Sequence, residues 1–203
     1  MARILTVTLN PALDLTVQLP ALRLGEVNRS DNLQVHAAGK GLNVAQVLAD
    51  LGHQLTVTGF LGEANAQPFE QLFAARGFAD EFVRVAGETR SNIKLAEADG
   101  RITDINGPGL EVGAAQRDEL LARLERLVPG HELVVVAGSL PRGVEAPWFV
   151  ELLQRHDVPL SGRHVVVVGR GITVDGWVGP QTWGRLLQGS GQAPARSDGR
   201  VAI

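Results

Sequence analysis

Hydrophobic positions along the 203-residue chain switch between short continuous runs and helical stripes. Ile4 to Leu9 is rich in β-branched residues and stops at Asn10-Pro11, the pattern of a buried strand ended by a turn. Between Gly41 and Leu51, Val44, Val47, Leu48 and Leu51 recur at i, i+3, i+4 and i+7, which predicts an amphipathic helix closed by Gly52. Leu55 to Phe60 predicts a second buried strand, and Phe69, Leu72 and Phe73 a second helix that Gly77 ends. Leu120, Leu121, Leu124 and Leu127 form a third helical stripe, followed by the wholly apolar strand Leu133 to Ala137. Strands so continuous are usually covered on both faces. Phe149, Leu152 and Leu153 mark one more helix, and the valine run Val165 to Val168 reads as the next core strand.

The rhythm changes between Arg84 and Asp104. Ile93 and Leu95 alternate with Asn92 and Lys94, and Asp99-Gly100 separates them from a second run that ends at Ile105. Asp-Gly between two alternating runs predicts a tight hairpin with both turn residues at positive φ. The loose alternation Leu13, Leu15, Val17, Leu19 supplies further strands to the same small antiparallel sheet. The expectation is a Rossmann-like α/β fold: a mostly parallel sheet with helices on both faces, interrupted by a β lid drawn from about 11–37 and 89–107. Ligands of such sheets bind at the carboxyl ends of strands, which points to Asn10–Asp14, Ala38–Asn43 and Gly138–Gly143.

Composition narrows the function classes. Lys and Arg number 19 against 22 Asp and Glu, a net charge of −3, so there is no electrostatic footprint for nucleic acid or an anionic membrane. An anion must be held by a local cluster of donors. No cysteine is present, which excludes a disulfide framework and a thiolate zinc site and makes a reducing cytoplasm the default. Ile4 to Leu9 is too short and polar for a signal-peptide core, and no apolar stretch approaches the ~20 residues of a bilayer span.

Ala38-Gly39-Lys40-Gly41-Leu42-Asn43 opens the first helix, where two glycines leave room for a ligand against backbone N–H groups and Lys40 adds a charge. The spacing is not that of a P-loop, and an ordinary glycine-rich helix entry fits it equally. Asp14 is either a turn residue or a carboxylate that accepts sugar hydroxyls. Arg90 offers a planar fork suited to phosphate, or a solvated surface cation.

The set of motifs is more specific than its members. Asn10-Pro11-Ala12-Leu13-Asp14, His36 to Ala45, Gly59-Phe60-Leu61-Gly62, Thr89 to Lys94 and Gly138 to Gly143, in that order, resemble the 1-phosphofructokinases of the ribokinase-like (phosphofructokinase B) carbohydrate kinases over Met1 to about Leu160. The resemblance implies transfer of the ATP γ-phosphoryl group to fructose 1-phosphate, with ATP and Mg²⁺ required and homodimers formed through the lids. It also implies that Asp14 holds sugar hydroxyls, Gly39 and Asn43 the sugar face, and Lys40, Arg90 and Ser139 the substrate phosphate. Lys94 and Arg29 are further candidates, with exposed lid positions the plainer reading for both. Tagatose 6-phosphate is an alternative substrate, because the same blocks serve both sugars; a non-catalytic sugar-phosphate-binding or dimerisation module is the alternative outside catalysis.

The family's Asn-x-x-Glu segment near magnesium and its Gly-Ala-Gly-Asp helix start, which supplies an anion hole and the base, do not occur in these 203 residues. The carboxyl half of the fold is therefore expected to be missing, leaving the chain inactive alone. Residues 161–203 are expected to form an atypical, poorly ordered tail. Gly162 to Gly171 faintly resembles the nucleotide-binding strand of folate dehydrogenases, and Asp175-Gly176 with Gly179-Pro180 and Thr182-Trp183 resembles peptidoglycan-binding repeats. From Gln188 onward apolar periodicity disappears.

Overall fold

The computed structural model describes residues 1–145, Trp148 and the backbone of two later strands, His164–Gly169 and Ile172–Thr173. The first strand, β1 (Arg3–Thr8), is buried along nearly all its length and lies between two parallel neighbours. On one side is β4 (Gln54–Gly62), on the other β9 (Leu133–Ala137). The valine run forms β10 (His164–Gly169), parallel to β9, with β11 (Ile172–Thr173) antiparallel beyond it. Two short strands absent from the sequence reading, β5 (Ala79–Asp80) and β6 (Val83–Val85), both pair parallel with β4. Among the described residues no helix is long and apolar enough to cross a membrane.

Alternation along these strands divides the core into two layers. Leu5, Val7, Val134 and Val136 face one side, where helix α3 (Ala114–Leu127) buries Leu120, Leu124 and Leu127. Ile4, Leu55, Val57, Val135 and Ala137 face the other, which α1 (Lys40–Asp50) and α2 (Gln67–Arg76) cover. Both faces of the parallel sheet are thus occupied, as its unbroken apolar runs require. Gly77 ends α2 in the left-handed conformation. The helix expected around Phe149 to Leu153 lies outside the described residues apart from Trp148, as does most of 161–203.

One helical stripe differs from its expectation. In α1 the buried residues are Gly41, Leu42 and Ala45, while Val47 and Leu51 are 59% and 69% exposed. The helix meets the sheet through Leu42 and the two small residues beside it on that face. A β-carbon on Gly41 would fall 3.0 Å from the carbonyl oxygen of Val7 and closer still to the Thr8 hydroxyl, so close approach at Gly41 and Ala45 sets the inward face. Large side chains four residues apart then mark a flank, with Val44 and Leu48 only partly covered.

The remaining strands form a separate lid sheet: β3 (Asn32–Ala38), β2 (Ala12–Leu19), β7 (Ser91–Glu97) and β8 (Ile102–Asn106), in that order. It is mixed, not antiparallel as expected. β2 pairs antiparallel with β3 and β7 antiparallel with β8, but β2 and β7 run parallel. Both leave the core from the same place, where the Leu13 N–H donates to the Arg90 carbonyl at 2.8 Å, so they rise in the same direction. The hairpin turn also differs: the Gly100 N–H donates to the Glu97 carbonyl and the Glu97 N–H to the Arg101 carbonyl, a three-residue connection with Gly100 at φ 87°. Strand alternation gives the lid two unlike faces. Val35, Leu15, Ile93 and Ile105 align across one, and His36, Asp14, Asn92 and Asn106 across the other.

Candidate functional site

The end of β1 is where core, lid and helix converge. Asp14 is two residues into β2, not in a turn, and half-buried. The strand fixes its direction toward the polar face, where Asn92 Nδ2 on the neighbouring strand donates to Asp14 Oδ1 at 3.1 Å. The other amide atom, Asn92 Oδ1, is buried without a hydrogen-bond donor. The hydrogen bond from Asn92 orients the Asp14 carboxylate, whose remaining lone pairs are acceptors suited to hydroxyl groups.

Arg90 is held from both ends. Asn65 Nδ2 donates to the Thr89 carbonyl at 2.9 Å, its Oδ1 accepts from the Thr89 N–H at 2.8 Å, and Thr89 Oγ1 accepts from the Gly62 N–H at 2.8 Å. With residue 89 pinned, the Arg90 guanidinium reaches over the β1–β2 link and donates to the Pro11 and Asn10 carbonyls, each at 3.3 Å. Burial pushes that guanidinium down from its ordinary pKa, and the nearby Asp14 charge offsets part of the effect. A partly desolvated cation with donors to spare is a good partner for an anion.

Gly39 precedes α1 at φ 150°, ψ 142°, a conformation side chains rarely adopt, and an added β-carbon would meet Thr8 Cγ2 at 2.8 Å. No side chain caps this helix end and no acidic residue occupies its first turn. Its positive pole therefore stays available, beside Lys40. Asn43 is exposed one turn in, its N–H bonded to the Gly39 carbonyl at 2.8 Å. Across from α1, a β-carbon on Gly138 would lie 4.0 Å from Lys40 Cβ, so the loop after β9 runs against the Lys40 stem. Ser139, exposed on that loop, accepts a hydrogen bond from Asn10 Nδ2 at 3.1 Å.

A cavity of about 800 Å³ adjoins this corner, lined by Asp14, Asn43, Asn92 and Lys94 among others, with the outer face of α2 as a wall. Gly39, Lys40, Arg90 and Ser139 border the end of β1 instead of lining the cavity, and Arg29 is exposed in the connection between β2 and β3. The sequence reading overlooked the part of Asn10, which it took as a turn former. The one signal was its place directly after a buried strand. Among the described residues no group of three His, Asp or Glu side chains gathers as a metal cage.

Comparison with known proteins gives this geometry its family. Residues 7–157 match the model for pfkB family carbohydrate kinases. The chain is 48% identical over 173 residues to a 1-phosphofructokinase of Vibrio cholerae, covering 82% of this chain and 55% of that protein. It is 45% identical over 153 residues to the Escherichia coli K12 1-phosphofructokinase, covering 75% and 49%. The chain thus spans about half the length of these relatives. In fold it resembles a possible 1-phosphofructokinase of Thermotoga maritima, with a TM-score of 0.74 at 30% identity over 92% of this chain and 57% of that one. The E. coli phosphofructokinase-2 in complex with fructose-6-phosphate superposes with a TM-score of 0.71 at 26% identity, over 83% and 55%. With a family model covering most of the described residues and relatives this similar, the chain belongs to the pfkB family of carbohydrate kinases.

Proposed function

We propose that this chain forms the sugar-phosphate-binding part of a cytoplasmic 1-phosphofructokinase, with fructose 1-phosphate as its ligand and ATP and Mg²⁺ as cosubstrate and cofactor of the whole enzyme. Residues 1–160 belong to the kinase fold, and β10 and β11 extend its sheet past residue 160. The observation that carries the site is the convergence of a hydroxyl acceptor, Asp14, with the cation Arg90 and the open helix end at Lys40 around the last residues of β1. Asp14 holds sugar hydroxyls, and Gly39 and Asn43 the sugar face. Lys40, Arg90, the helix N–H groups and the Ser139 hydroxyl together offset a phosphate dianion in a protein whose net charge of −3 would repel it. Among the described residues no cluster of carboxylates gathers for magnesium, which would enter the site with the ATP phosphates.

Calorimetric titration with fructose 1-phosphate tests this. Asp14→Ala and Arg90→Ala are each expected to weaken binding by about 10- to 100-fold, the ~1–3 kcal/mol of a lost charged hydrogen bond. Unchanged affinity in both would place the pocket elsewhere. Titration with tagatose 6-phosphate decides between the two sugars, because the tighter ligand is the one whose phosphate reaches Arg90.

The apolar face of the lid supports a homodimer. Leu33, Val35 and Ile105 are 55%, 47% and 53% exposed, on the face opposite Asp14. A second lid laid against this face buries both rows and leaves the polar faces to the ligand. Val35→Glu is expected to weaken the dimer by about tenfold or more in sedimentation equilibrium, since each two-fold contact loses an apolar side chain and gains a desolvated charge twice over. A dimer of undiminished stability would exclude this face.

A further inference from the structure

We infer that Asn10 is a positioning residue for the substrate phosphate: it fixes the rotor of Ser139 so that the hydroxyl proton is presented to the anion. The inference rests on the proposed sugar-phosphate site and assigns a role inside it.

Asn10 is 8% exposed, whereas Ser139 above it is open to solvent. Its side-chain NH₂ group donates to Ser139 Oγ and to the Leu140 carbonyl, both at 3.1 Å. The Leu140 carbonyl, which can only accept, fixes the NH₂ end of the Asn10 amide toward the loop. Its Oδ1 lies instead against Gly109, where a β-carbon would approach to 2.7 Å, so a glycine there makes room for it. The consequence is directional. A serine hydroxyl has one proton and two lone pairs, and an amide nitrogen can donate but not accept. With one lone pair of Ser139 Oγ taken by Asn10, the proton is confined to the staggered positions that point away from Asn10. An unfixed hydroxyl would instead have to be ordered by the ligand, at a cost in affinity.

The Asn10 carbonyl that receives Arg90 is main chain and survives substitution, so the side chain can be tested separately from the arginine. The test is a double-mutant cycle on the full chain, read as calorimetric affinity for fructose 1-phosphate. Asn10→Ala alone is expected to weaken binding about fivefold or more, and by less than about twofold when Ser139 is already Ala. A loss through general loosening of the loop would persist in the Ser139→Ala background, and such additive losses would overturn the inference. If Asn10→Ala does not fold by circular dichroism, the uncharged and similarly sized Asn10→Leu enters the same cycle, with the same non-additivity expected. Asp14→Ala serves as the control. Additive Asn10 and Ser139 losses beside a weakened Asp14→Ala sink the role of Asn10 and leave the site standing. No binding by the unsubstituted chain sinks both.

Discussion

Given ATP, Mg²⁺ and fructose 1-phosphate, the 203-residue polypeptide is expected to form no fructose 1,6-bisphosphate above the background of a mock purification. The proposed site is a ground-state site. Asp14, Arg90, Lys40 and Ser139 are proposed to bind the sugar phosphate, and none of them is proposed as the base or as a donor to the moving phosphoryl group. Groups that bind substrate and transition state equally lower KM without accelerating the reaction. Phosphoryl transfer is catalysed mainly by positioning and by charge stabilisation of the moving group. Loss of a single transition-state donor typically costs ~10²–10³ in rate. The Gly-Ala-Gly-Asp and Asn-x-x-Glu segments, which the family resemblance associates with base, anion hole and magnesium, do not occur in this sequence. A coupled assay decides the matter. Turnover that disappears in Asp14→Ala would show that a substitute for those segments lies within the chain.

Much of the fold could be read from the sequence because its core strands are continuous and its helices are bounded by glycines. Leu133 to Ala137 admits few readings other than a strand covered on both faces, and Gly77 stops α2 where the stripe ends. The errors have common physical causes. The stripe expected in α1 runs through Val44, Val47 and Leu51, but the contact is made by Leu42 with Gly41 and Ala45, and a periodicity of large residues cannot register the close approach of the two small ones that turns Leu42 inward. Strand direction in the lid depends on where β2 and β7 leave the core, which is a tertiary fact that alternation does not encode. The two short strands β5 and β6 take their pairing from β4 and are too brief to show a period.

The candidate site divides in the same way. Asp14, Gly39, Lys40, Asn43, Arg90 and Ser139 stand out in the sequence as members of motifs, each ambiguous alone, and the structure brings them to the end of β1 and the cavity beside it. Asn10 and Asn65 escaped notice because their importance lies in what they join. An amide that bridges two loops far apart in sequence looks, in one dimension, like any turn residue.

Phe69→Ala is expected to destabilise the fold by ~3–5 kcal/mol while leaving the intrinsic affinity of the folded molecule for sugar phosphate nearly unchanged. Phe69 is fully buried on the inner side of α2, its ring 6.5 Å from that of Phe73, which in turn stacks on Phe82 at 5.5 Å. Removing it takes a ring from a packed layer whose neighbours are carried by β4 and α1 and cannot close the gap, so the transfer and cavity costs add. A domain of this size has a total stability of ~5–15 kcal/mol, so the loss takes about a fifth of it or more. Gln71, exposed on the same helix at the cavity wall, is the internal control, and Gln71→Ala should shift stability by less than ~0.5 kcal/mol. Urea unfolding measures both, with a lowered midpoint and unchanged slope expected for Phe69→Ala. Binding separates stability from function. The residues around the end of β1 belong to β2, α1, the loop after β9 and the segment before β7 that carries Arg90, and none of them lies on α2, so affinity should fall only in proportion to the folded fraction and recover where the variant is fully folded. A weakening that persists in fully folded Phe69→Ala would mean that α2 shapes the ligand's contacts directly and is more than the wall behind them.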